Sequence, residues 1–293
     1  MPKPLRVGLV GAGPWAKLVH APQIAAGPET ALTGIWARRS EAAEELARPF
    51  GAPAFVRIEA LFDACEAVAF SVPPAVQAEL AIAAARAGKA LLLEKPIAAD
   101  LHGAETLAAA VERAGVPSLV ALTWRFAPAV RRFLGQASTF SAHGGRGWFV
   151  SGAFLGGHFA TPWRLERGPL LDLGPHVLDL LDAALGPIER LQAHGDLHHW
   201  VGLLLDHAGG AHSEVSLCAT ARIEPSTAGA ELYGPDGALR FDSAEVDSRA
   251  TFATLYREFA AVARGELPSG LDVKRGLYLQ RLIEQAEIEL RGG

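Results

Sequence analysis

Residues 5–16 read Leu-Arg-Val-Gly-Leu-Val-Gly-Ala-Gly-Pro-Trp-Ala, so a short, mostly apolar run leads directly into a glycine-rich turn. The run has the length of a buried strand. Gly11 permits a tight turn, Gly13 lets the backbone approach a ligand closely, and Ala16 lets the following helix pack against the strand. The N-terminus of that helix attracts anions. The stretch predicts a strand–turn–helix unit that binds the pyrophosphate of a dinucleotide; the alternative is a turn of purely structural use.

The next hundred residues continue to alternate between apolar runs and helical patterns. The apolar runs are Leu5–Val10, Ala31–Trp36, Ala54–Val56, Ala67–Val72, Ala90–Leu93 and Pro117–Leu122. Strands that are apolar throughout and are each followed by a helix are typical of a parallel sheet covered on both faces. We therefore expect residues 1–122 to form a doubly wound α/β domain of the Rossmann type that binds NAD(P).

The pattern changes after residue 122. A strongly helical segment, Leu170–Leu185, precedes several short strand-like runs, and two helices follow them. The predicted strands are Ile188–Ala193, Trp200–Leu205, Ala211–Ala219, Ala230–Tyr233 and Ala238–Phe241. No strand is predicted in the Gly-, Ser- and His-rich stretch that ends at Gly147. Residues 123–293 are expected to form an α+β domain with an open, mostly antiparallel sheet arranged as a meander.

Composition excludes several classes of protein. The 293 residues carry 27 Lys and Arg against 32 Asp and Glu, a net charge of −5. Nucleic-acid binding through overall charge is therefore disfavoured, because it needs a basic surface. No apolar stretch approaches the roughly 18 residues of a membrane span. No targeting segment is recognised either, so we expect a cytoplasmic protein without a membrane partner.

The sequence predicts no metal site. Its two cysteines, Cys65 and Cys218, exclude a disulfide scaffold and offer no pair at zinc-ligand spacing. Five histidines occur on predicted strands and turns of the second half, namely His194, His198, His199, His207 and His212. Their irregular spacing is more typical of a solvated surface than of a metal site.

The second predicted strand ends at Trp36 and is followed by Ala-Arg38-Arg39-Ser40. An NAD site usually places a carboxylate here for the ribose hydroxyls, but the first carboxylate in this chain is Glu41. Two arginines and a serine suit the 2′-phosphate of NADP, and Ser40 is also a candidate N-cap for the next helix. We predict NADP in preference to NAD; the alternative is two solvated arginines at a helix start.

Glu94-Lys95-Pro96 closes the fifth predicted strand. Open α/β sheets bind ligands at the carboxyl ends of their strands. The chain has only five lysines, and a lysine at this edge can polarise a substrate oxygen. We predict a catalytic role for Lys95, with an exposed turn lysine as the alternative.

A polar pair interrupts an apolar segment that begins at Gly168 and reads Gly-Pro-Leu-Leu-Asp-Leu-Gly-Pro-His. Asp172 and His176 are four residues apart and share a face if both are helical, although Pro175 either starts or kinks the helix. A histidine can exchange a proton near neutral pH. The pair is predicted to act in catalysis; the alternative is a capping residue and a hydrogen-bonded core histidine.

Together these motifs resemble the glucose–fructose oxidoreductase, inositol dehydrogenase and rhizopine-catabolism (Gfo/Idh/MocA) family over essentially the whole chain. Further motifs that carry the resemblance are Ser71-Val-Pro73-Pro74, Trp124-Arg125-Phe126-Ala-Pro128 and Leu232-Tyr-Gly-Pro-Asp-Gly237. Two features depart from the family pattern: Gln77 replaces a frequent histidine, and only Gly168 remains of a run of glycines. The chain is also shorter than most members.

The resemblance implies a set of site residues. The implied cofactor contacts are Gly11, Gly13, Pro14, Trp15, Ala16, Arg38, Arg39, Ser40, Ser71, Pro73, Pro74, Glu94 and Lys95. The implied catalytic residues are Lys95, Asp172 and His176. The implied substrate contacts are Lys95, Trp124, Arg125, Asp172 and His176.

The predicted function is that of an NADP-dependent oxidoreductase. It transfers hydride between the nicotinamide and a sugar, polyol, inositol or related small carbonyl, and the sequence leaves the substrate open. Two alternatives stay open: a non-catalytic NADP-binding sensor and a nicotinamide-dependent glycosidase on the same fold. A sheet with an uncovered apolar face is a liability unless a partner hides it, so we expect a homodimer or homotetramer formed through the C-terminal sheet.

Overall fold

The structure is a computed structural model that describes residues 3–292, and its chain divides into two compact units. The first contains residues up to Ala121 together with Phe252–Tyr278, and the second contains Leu122–Thr251 and the residues from Leu279 onward. Residues 252–278 thus pack with the first unit although they follow most of the second in sequence. The division into domains 1–122 and 123–293 remains a prediction, since compact packing is not the same as independent folding.

The first unit is built on a six-stranded parallel sheet with the order β3-β2-β1-β4-β5-β6. The strands are β1 (Leu5–Val10), β2 (Thr30–Trp36), β3 (Ala54–Phe55), β4 (Ala67–Phe70), β5 (Ala90–Leu93) and β6 (Ser118–Val120). The strand order reverses between β1 and β4, and open sheets of this kind bind ligands in the crevice at that point. The Rossmann-type fold expected from the alternating sequence pattern is confirmed.

Helices connect these strands, and two more lie near the end of the chain. Their bounds are α1 (Ala21–Ala26), α2 (Ser40–Ala47), α3 (Ile58–Ala64), α4 (Pro74–Arg86), α5 (Leu101–Ala114), α8 (Ser248–Ala263) and α9 (Val273–Gly292). The first of them is preceded by a wider, π-helical segment, Ala16–His20. The helix α5 starts at an Asp100 cap, whose carboxylate accepts a hydrogen bond from the backbone N–H of Gly103. Pro74 opens α4, as expected for the first position of a helix.

The second unit contains a six-stranded sheet with the order β12-β11-β7-β10-β9-β8. Its strands are β7 (Gly144–Val150), β8 (Ile188–Gly195), β9 (Trp200–His207), β10 (His212–Cys218), β11 (Thr227–Gly234) and β12 (Gly237–Asp242), and its first two helices are α6 (Pro128–Ala137) and α7 (Pro162–Leu185). The mostly antiparallel sheet is confirmed, but the simple meander is wrong. The strand β7 lies between β11 and β10, and it runs parallel to β10.

The sequence pattern missed β7 because three of its seven residues are glycines, which are normally depleted in strands. Here the glycines allow close packing. A Cβ at Gly147 would lie 2.5 Å from a methyl carbon of Val177 on α7, and one at Gly145 would lie 2.5 Å from the carbonyl oxygen of Glu231 on β11. The strand therefore depends on the absence of side chains at these points.

The helix α7 is broken at Gly168, whose φ of 73° and ψ of −177° lie outside the helical region. An added Cβ would overlap the carbonyl oxygen of Leu197. Glycine alone adopts this backbone conformation without strain. The break fixes where the second part of α7, which carries Asp172 and His176, begins.

Replacing Gly168 with alanine is therefore expected to lower the free energy of unfolding by about 3 kcal/mol or more, because backbone strain adds to a clash with main chain. The matched control is Gly135→Ala in α6. An added Cβ there meets no atom within 4 Å, so this change should be neutral or stabilising by up to about 1 kcal/mol. Urea unfolding of both variants measures the difference. Equal stability of the two variants would contradict the assigned strain.

Candidate active site

The glycine-rich turn lies where β1 ends, and the chain after β4 approaches it closely. Gly11 has a φ of 120°, and an added Cβ would overlap the carbonyl oxygen of Ser71. At Gly13 an added Cβ meets no atom within 4 Å among the described residues. The backbone of the turn is therefore accessible on the Gly13 side and packed on the Gly11 side. Ala16 is fully buried, as close packing of helix and strand requires. This arrangement fits the pyrophosphate of a dinucleotide.

Arg38 and Arg39 follow the carboxyl end of β2, next to the glycine-rich turn. Strands β1 and β2 are paired in parallel, with Val10 opposite Trp36, so the segments that follow them emerge at the same edge. Both arginine side chains are exposed. Helix α2 starts at Ser40, and the N-cap position belongs to Arg39. The expectation that Ser40 caps the helix is therefore wrong, because its backbone is already helical.

The Glu94-Lys95 turn is held through its backbone by Gln77 of α4, a fully buried residue. The Gln77 amide nitrogen donates to the carbonyl oxygens of Glu94 at 2.7 Å, Ile97 at 3.2 Å and Pro96 at 3.3 Å. The Gln77 amide oxygen accepts from the Glu94 N–H at 2.9 Å. The sequence marked Gln77 only as a departure from the family pattern. Its place is structural: one side chain fixes the whole turn that follows β5.

The carboxylate of Glu94 collects three donors. Its Oε1 accepts from the indole N–H of Trp15 at 2.8 Å and from Nε2 of His20 at 2.9 Å. Its Oε2 accepts from the backbone N–H of Lys95 at 3.2 Å. The other ring nitrogen of His20, Nδ1, lies 2.6 Å from the hydroxyl of Tyr256. Burial, followed by the nearby Glu94 carboxylate, raises the pKa of Tyr256 well above its ordinary value.

Sequence reasoning missed His20 and Tyr256. The signal for His20 was a lone histidine at a helical spacing from the glycine-rich turn, which taken alone is more often a core residue. Tyr256 gave no signal, because 236 residues separate it from its partner. Only the folded chain brings the two together.

In the second unit, Asp172 is paired with an arginine. Nε of Arg164 donates to Oδ2 of Asp172 at 3.0 Å, and the Asp172 side chain is buried. The guanidinium of Arg164 lies 4.6 Å from the ring centre of Trp163 and 5.6 Å from that of Phe159. The stacking and the ion pair together fix the Arg164 head group. The structure thus gives Asp172 a cationic partner that the sequence motif did not indicate.

His176 lies one turn further along α7, against aromatic rings. Its ring centre is 5.3 Å from that of Trp124 and 6.3 Å from that of Phe149. Nη1 of Arg125 donates to both carboxylate oxygens of Asp179, at 3.1 and 3.2 Å. The structure therefore brings Trp124 to His176, and it anchors Arg125 to the same helix.

The histidines of the second half differ in their exposure to solvent. His194, His198, His199 and His212 are exposed, but His207 is buried, with Nδ1 2.7 Å from the carbonyl oxygen of Gly186 and Nε2 2.8 Å from the hydroxyl of Ser213. The interpretation of His207 as solvated surface is therefore wrong, because its side chain is buried and both ring nitrogens have hydrogen-bond partners. Within residues 3–292, no group of three or more His, Cys, Asp or Glu side chains could hold a metal ion. Over the same residues, no helix has the length and apolar character needed to cross a membrane.

Comparison with known proteins identifies the family. Residues 5–122 match the model of an oxidoreductase family with an NAD-binding Rossmann fold, GFO/IDH/MocA, and residues 131–240 match the GFO/IDH/MocA C-terminal domain. The chain belongs to the GFO/IDH/MocA family. The resemblance found in the sequence motifs is thereby confirmed over both halves of this GFO/IDH/MocA chain.

Individual relatives match only part of the chain and share a limited fraction of its residues. The chain is 33% identical to D-apiose dehydrogenase of Paraburkholderia graminis over 55% of its own length and 46% of that protein. It is 26% identical to glucose-6-phosphate 3-dehydrogenase of Bacillus subtilis over 60% of its length and 52% of that protein. These matches thus span about half the length of the curated relatives. Among solved structures, GenD2 from gentamicin A biosynthesis, in complex with NAD, shares the fold with a TM-score of 0.88 at 21% identity, covering 99% of this chain and 95% of that one.

Proposed function

We propose that the protein is an NAD(P)-dependent oxidoreductase that moves hydride between the nicotinamide and a CH–OH carbon of a sugar, polyol, inositol or related small carbonyl compound. One observation carries the proposal. The accessible turn at Gly13 and the buttressed turn at Lys95 follow β1 and β5, which flank β4 at the carboxyl edge of one sheet. The names of the relatives, which are sugar dehydrogenases, support the substrate class.

The proposed roles follow from the chemistry of each side chain. The nicotinamide, when bound, supplies or accepts the hydride. Lys95 donates a hydrogen bond to the oxygen of the reacting carbon and stabilises its developing negative charge. His176 exchanges the hydroxyl proton. Asp172, fixed by Arg164, orients the substrate or the histidine.

We further propose that NADP is bound in preference to NAD. The exposed guanidinium groups of Arg38 and Arg39 lie at the edge where the adenosine ribose belongs if the glycine-rich turn holds the pyrophosphate. A guanidinium meets a phosphate with a planar fork of donors, and α2 adds backbone N–H groups from Ser40 onward.

The double variant Arg38/Arg39→Ala is therefore expected to bind NADP roughly tenfold to a thousandfold more weakly, because charge-assisted hydrogen bonds contribute about 1.5–3 kcal/mol each. Its NAD affinity should change little. The matched control, Arg48/Arg86→Ala, removes two exposed arginines of the same unit and should leave both affinities unchanged. Calorimetric titration of both cofactors at fixed ionic strength checks this. Tighter binding of NAD than of NADP by the wild type would contradict the proposal.

A homodimer or homotetramer through the exposed face of the second sheet, and a cytoplasmic location, are also proposed. That face is mixed rather than apolar. Exposed Trp200 and Leu204 lie on β9. On β11, which β10 and β7 separate from β9, Glu231 accepts from Tyr233 and Arg146. Those donors hold the pKa of Glu231 below its ordinary value. A partner surface for this face would need both apolar groups and paired charges.

A further inference from the structure

Two buried polar side chains of the first unit, His20 and Tyr256, have no part in the proposed chemistry. His20 is 2% exposed and Tyr256 is 4% exposed. Burying such groups is unfavourable unless they are hydrogen-bonded. Both are bonded in one continuous chain, from the Tyr256 hydroxyl through the His20 ring to Oε1 of Glu94. The chain ends at the residue that directly precedes Lys95.

The direction of the Trp15 hydrogen bond follows from its donor. The indole N–H of Trp15 can only donate, so Oε1 of Glu94 is an acceptor, and a proton on Nε2 of His20 lets the ring donate to the same oxygen. Nδ1 of His20 lies 2.6 Å from the hydroxyl of Tyr256, and burial raises the pKa of that hydroxyl well above its ordinary value. His20 and Tyr256 are buried and hydrogen-bonded in series, so the chain is a structural support for the Glu94 carboxylate.

The support acts on the orientation of the Glu94 carboxylate. Two donors, Trp15 and His20, hold Oε1. With Oε1 fixed, Oε2 is directed at the backbone N–H of Lys95. Gln77 already holds the backbone of Glu94. Gln77 therefore fixes the main chain of the turn, whereas His20 fixes the carboxylate that accepts from the Lys95 N–H.

Helix α8 supplies the other end of the support. Tyr256 and Phe252 are four residues apart and share a face of the helix. Phe252 packs edge-on against the Trp15 ring, with ring centres 5.9 Å apart, and Tyr256 packs edge-on against His20 at 6.2 Å. One helix face thus buttresses both side chains that hold Oε1 of Glu94.

We propose that His20, backed by Tyr256, is a positioning residue that acts through the Glu94 carboxylate to hold the backbone of Lys95. The catalytic consequence rests on the proposed function, because it requires Lys95 to act on the substrate. The positioning itself does not, and it can be measured in protein without cofactor.

The first test is amide hydrogen exchange in the cofactor-free protein, measured by NMR at single residues. In His20→Leu, exchange of the Lys95 amide should accelerate by about tenfold or more relative to wild type, since local opening of a side-chain-held amide becomes easier. The Glu94 amide, held by Gln77, is the internal control and should change less. His20→Gln keeps a donor near Nε2 and should restore most of the protection.

The matched control is His207→Leu, which removes an equally buried, doubly bonded histidine from the second unit. It should leave the Lys95 amide unchanged. Tyr256→Phe removes only the hydroxyl and gives a milder variant if His20→Leu does not fold; it should accelerate Lys95 exchange by a few-fold. Unchanged exchange at Lys95 in both His20→Leu and Tyr256→Phe would overturn the proposal. So would equal acceleration at Glu94 and Lys95, which indicates general loosening.

The second test is turnover. His20→Leu should lower kcat by about tenfold, with the cofactor Kd within about threefold of wild type, as expected when an interaction acts on the chemical step. His20→Gln should recover most of kcat. If His20→Leu weakened cofactor binding but left kcat unchanged, the proposed effect of His20 on catalysis would be overturned. Absence of any nicotinamide-dependent turnover in the wild type would remove the proposed function, and the exchange experiment would still decide whether His20 positions Lys95.

Discussion

Lys95→Ala is expected to slow turnover by roughly a hundredfold or more, the range found for loss of one acid–base or oxyanion-stabilising group. The loss corresponds to about 2.7 kcal/mol of the barrier, since each tenfold change is about 1.36 kcal/mol. Lys95 follows β5 in a turn whose backbone is held by Gln77 and by the Glu94 carboxylate. Cofactor affinity should stay within a few-fold, because the pyrophosphate contacts assigned to Gly11 and Gly13 are untouched.

The matched control for this experiment is Lys89→Ala. Lys89 precedes the same strand and donates to the carbonyl oxygen of Cys65 at 3.1 Å. It lies at the amino end of β5, away from the edge that binds ligands in such sheets. Its removal should leave kcat within about threefold, as expected for a surface substitution outside the site. Turnover of Lys95→Ala within the same range would remove Lys95 from the mechanism.

Asp172 and His176 are expected to lose activity non-additively. Residues that act as a unit are nearly as impaired by one substitution as by two. Each single alanine variant should therefore lower kcat by roughly a hundredfold or more, and the double variant should be barely slower than the worse single. Asp172 is held by Arg164, and His176 is held against Trp124, so both side chains are fixed before substrate binds.

An exposed Asp–His pair of the same unit serves as the control for this double-mutant cycle. Nδ1 of His199 lies 2.8 Å from Oδ1 of Asp196, and both side chains are exposed. Surface pairs of this kind contribute little to stability because solvent screens them, and alanine at either position should leave kcat unchanged. Strictly multiplicative losses at Asp172 and His176 would mean that the two residues act independently.

Most of the fold was predictable because apolar periodicity reports burial directly. The parallel strands are mostly apolar, and Gly11 marked the turn with a positive φ that the structure contains. The missing strand β7 shows the limit of this signal. Its glycines are needed because Val177 and neighbouring strands approach too closely for side chains, and a single sequence does not separate that reason from a flexible loop.

The sequence predicted the candidate catalytic residues but not the residues that hold them in place. Residues such as Lys95 stand out by position at a strand end. The residues that hold them, Gln77, His20 and Tyr256, act through contacts between segments distant in sequence. Their residue types are equally common in cores, so only the folded contacts reveal what they do. The same holds for Arg164, whose pairing with Asp172 depends on the break in α7.

The most direct test of the proposed function follows the NADPH absorbance at 340 nm with a panel of sugars, inositols and related ketones, each assayed with NADPH and with NADP⁺, using wild type and Lys95→Ala in parallel. The proposed function predicts that the wild type turns over at least one compound, with NADPH consumed when a carbonyl is reduced or formed when an alcohol is oxidised. The variant should do so at least about a hundredfold more slowly. Tight NADP binding without net change in absorbance for any compound would contradict the account, leaving a sensor or a glycosidase with a retained cofactor. Retention of the cofactor through dialysis during sugar hydrolysis would identify the glycosidase.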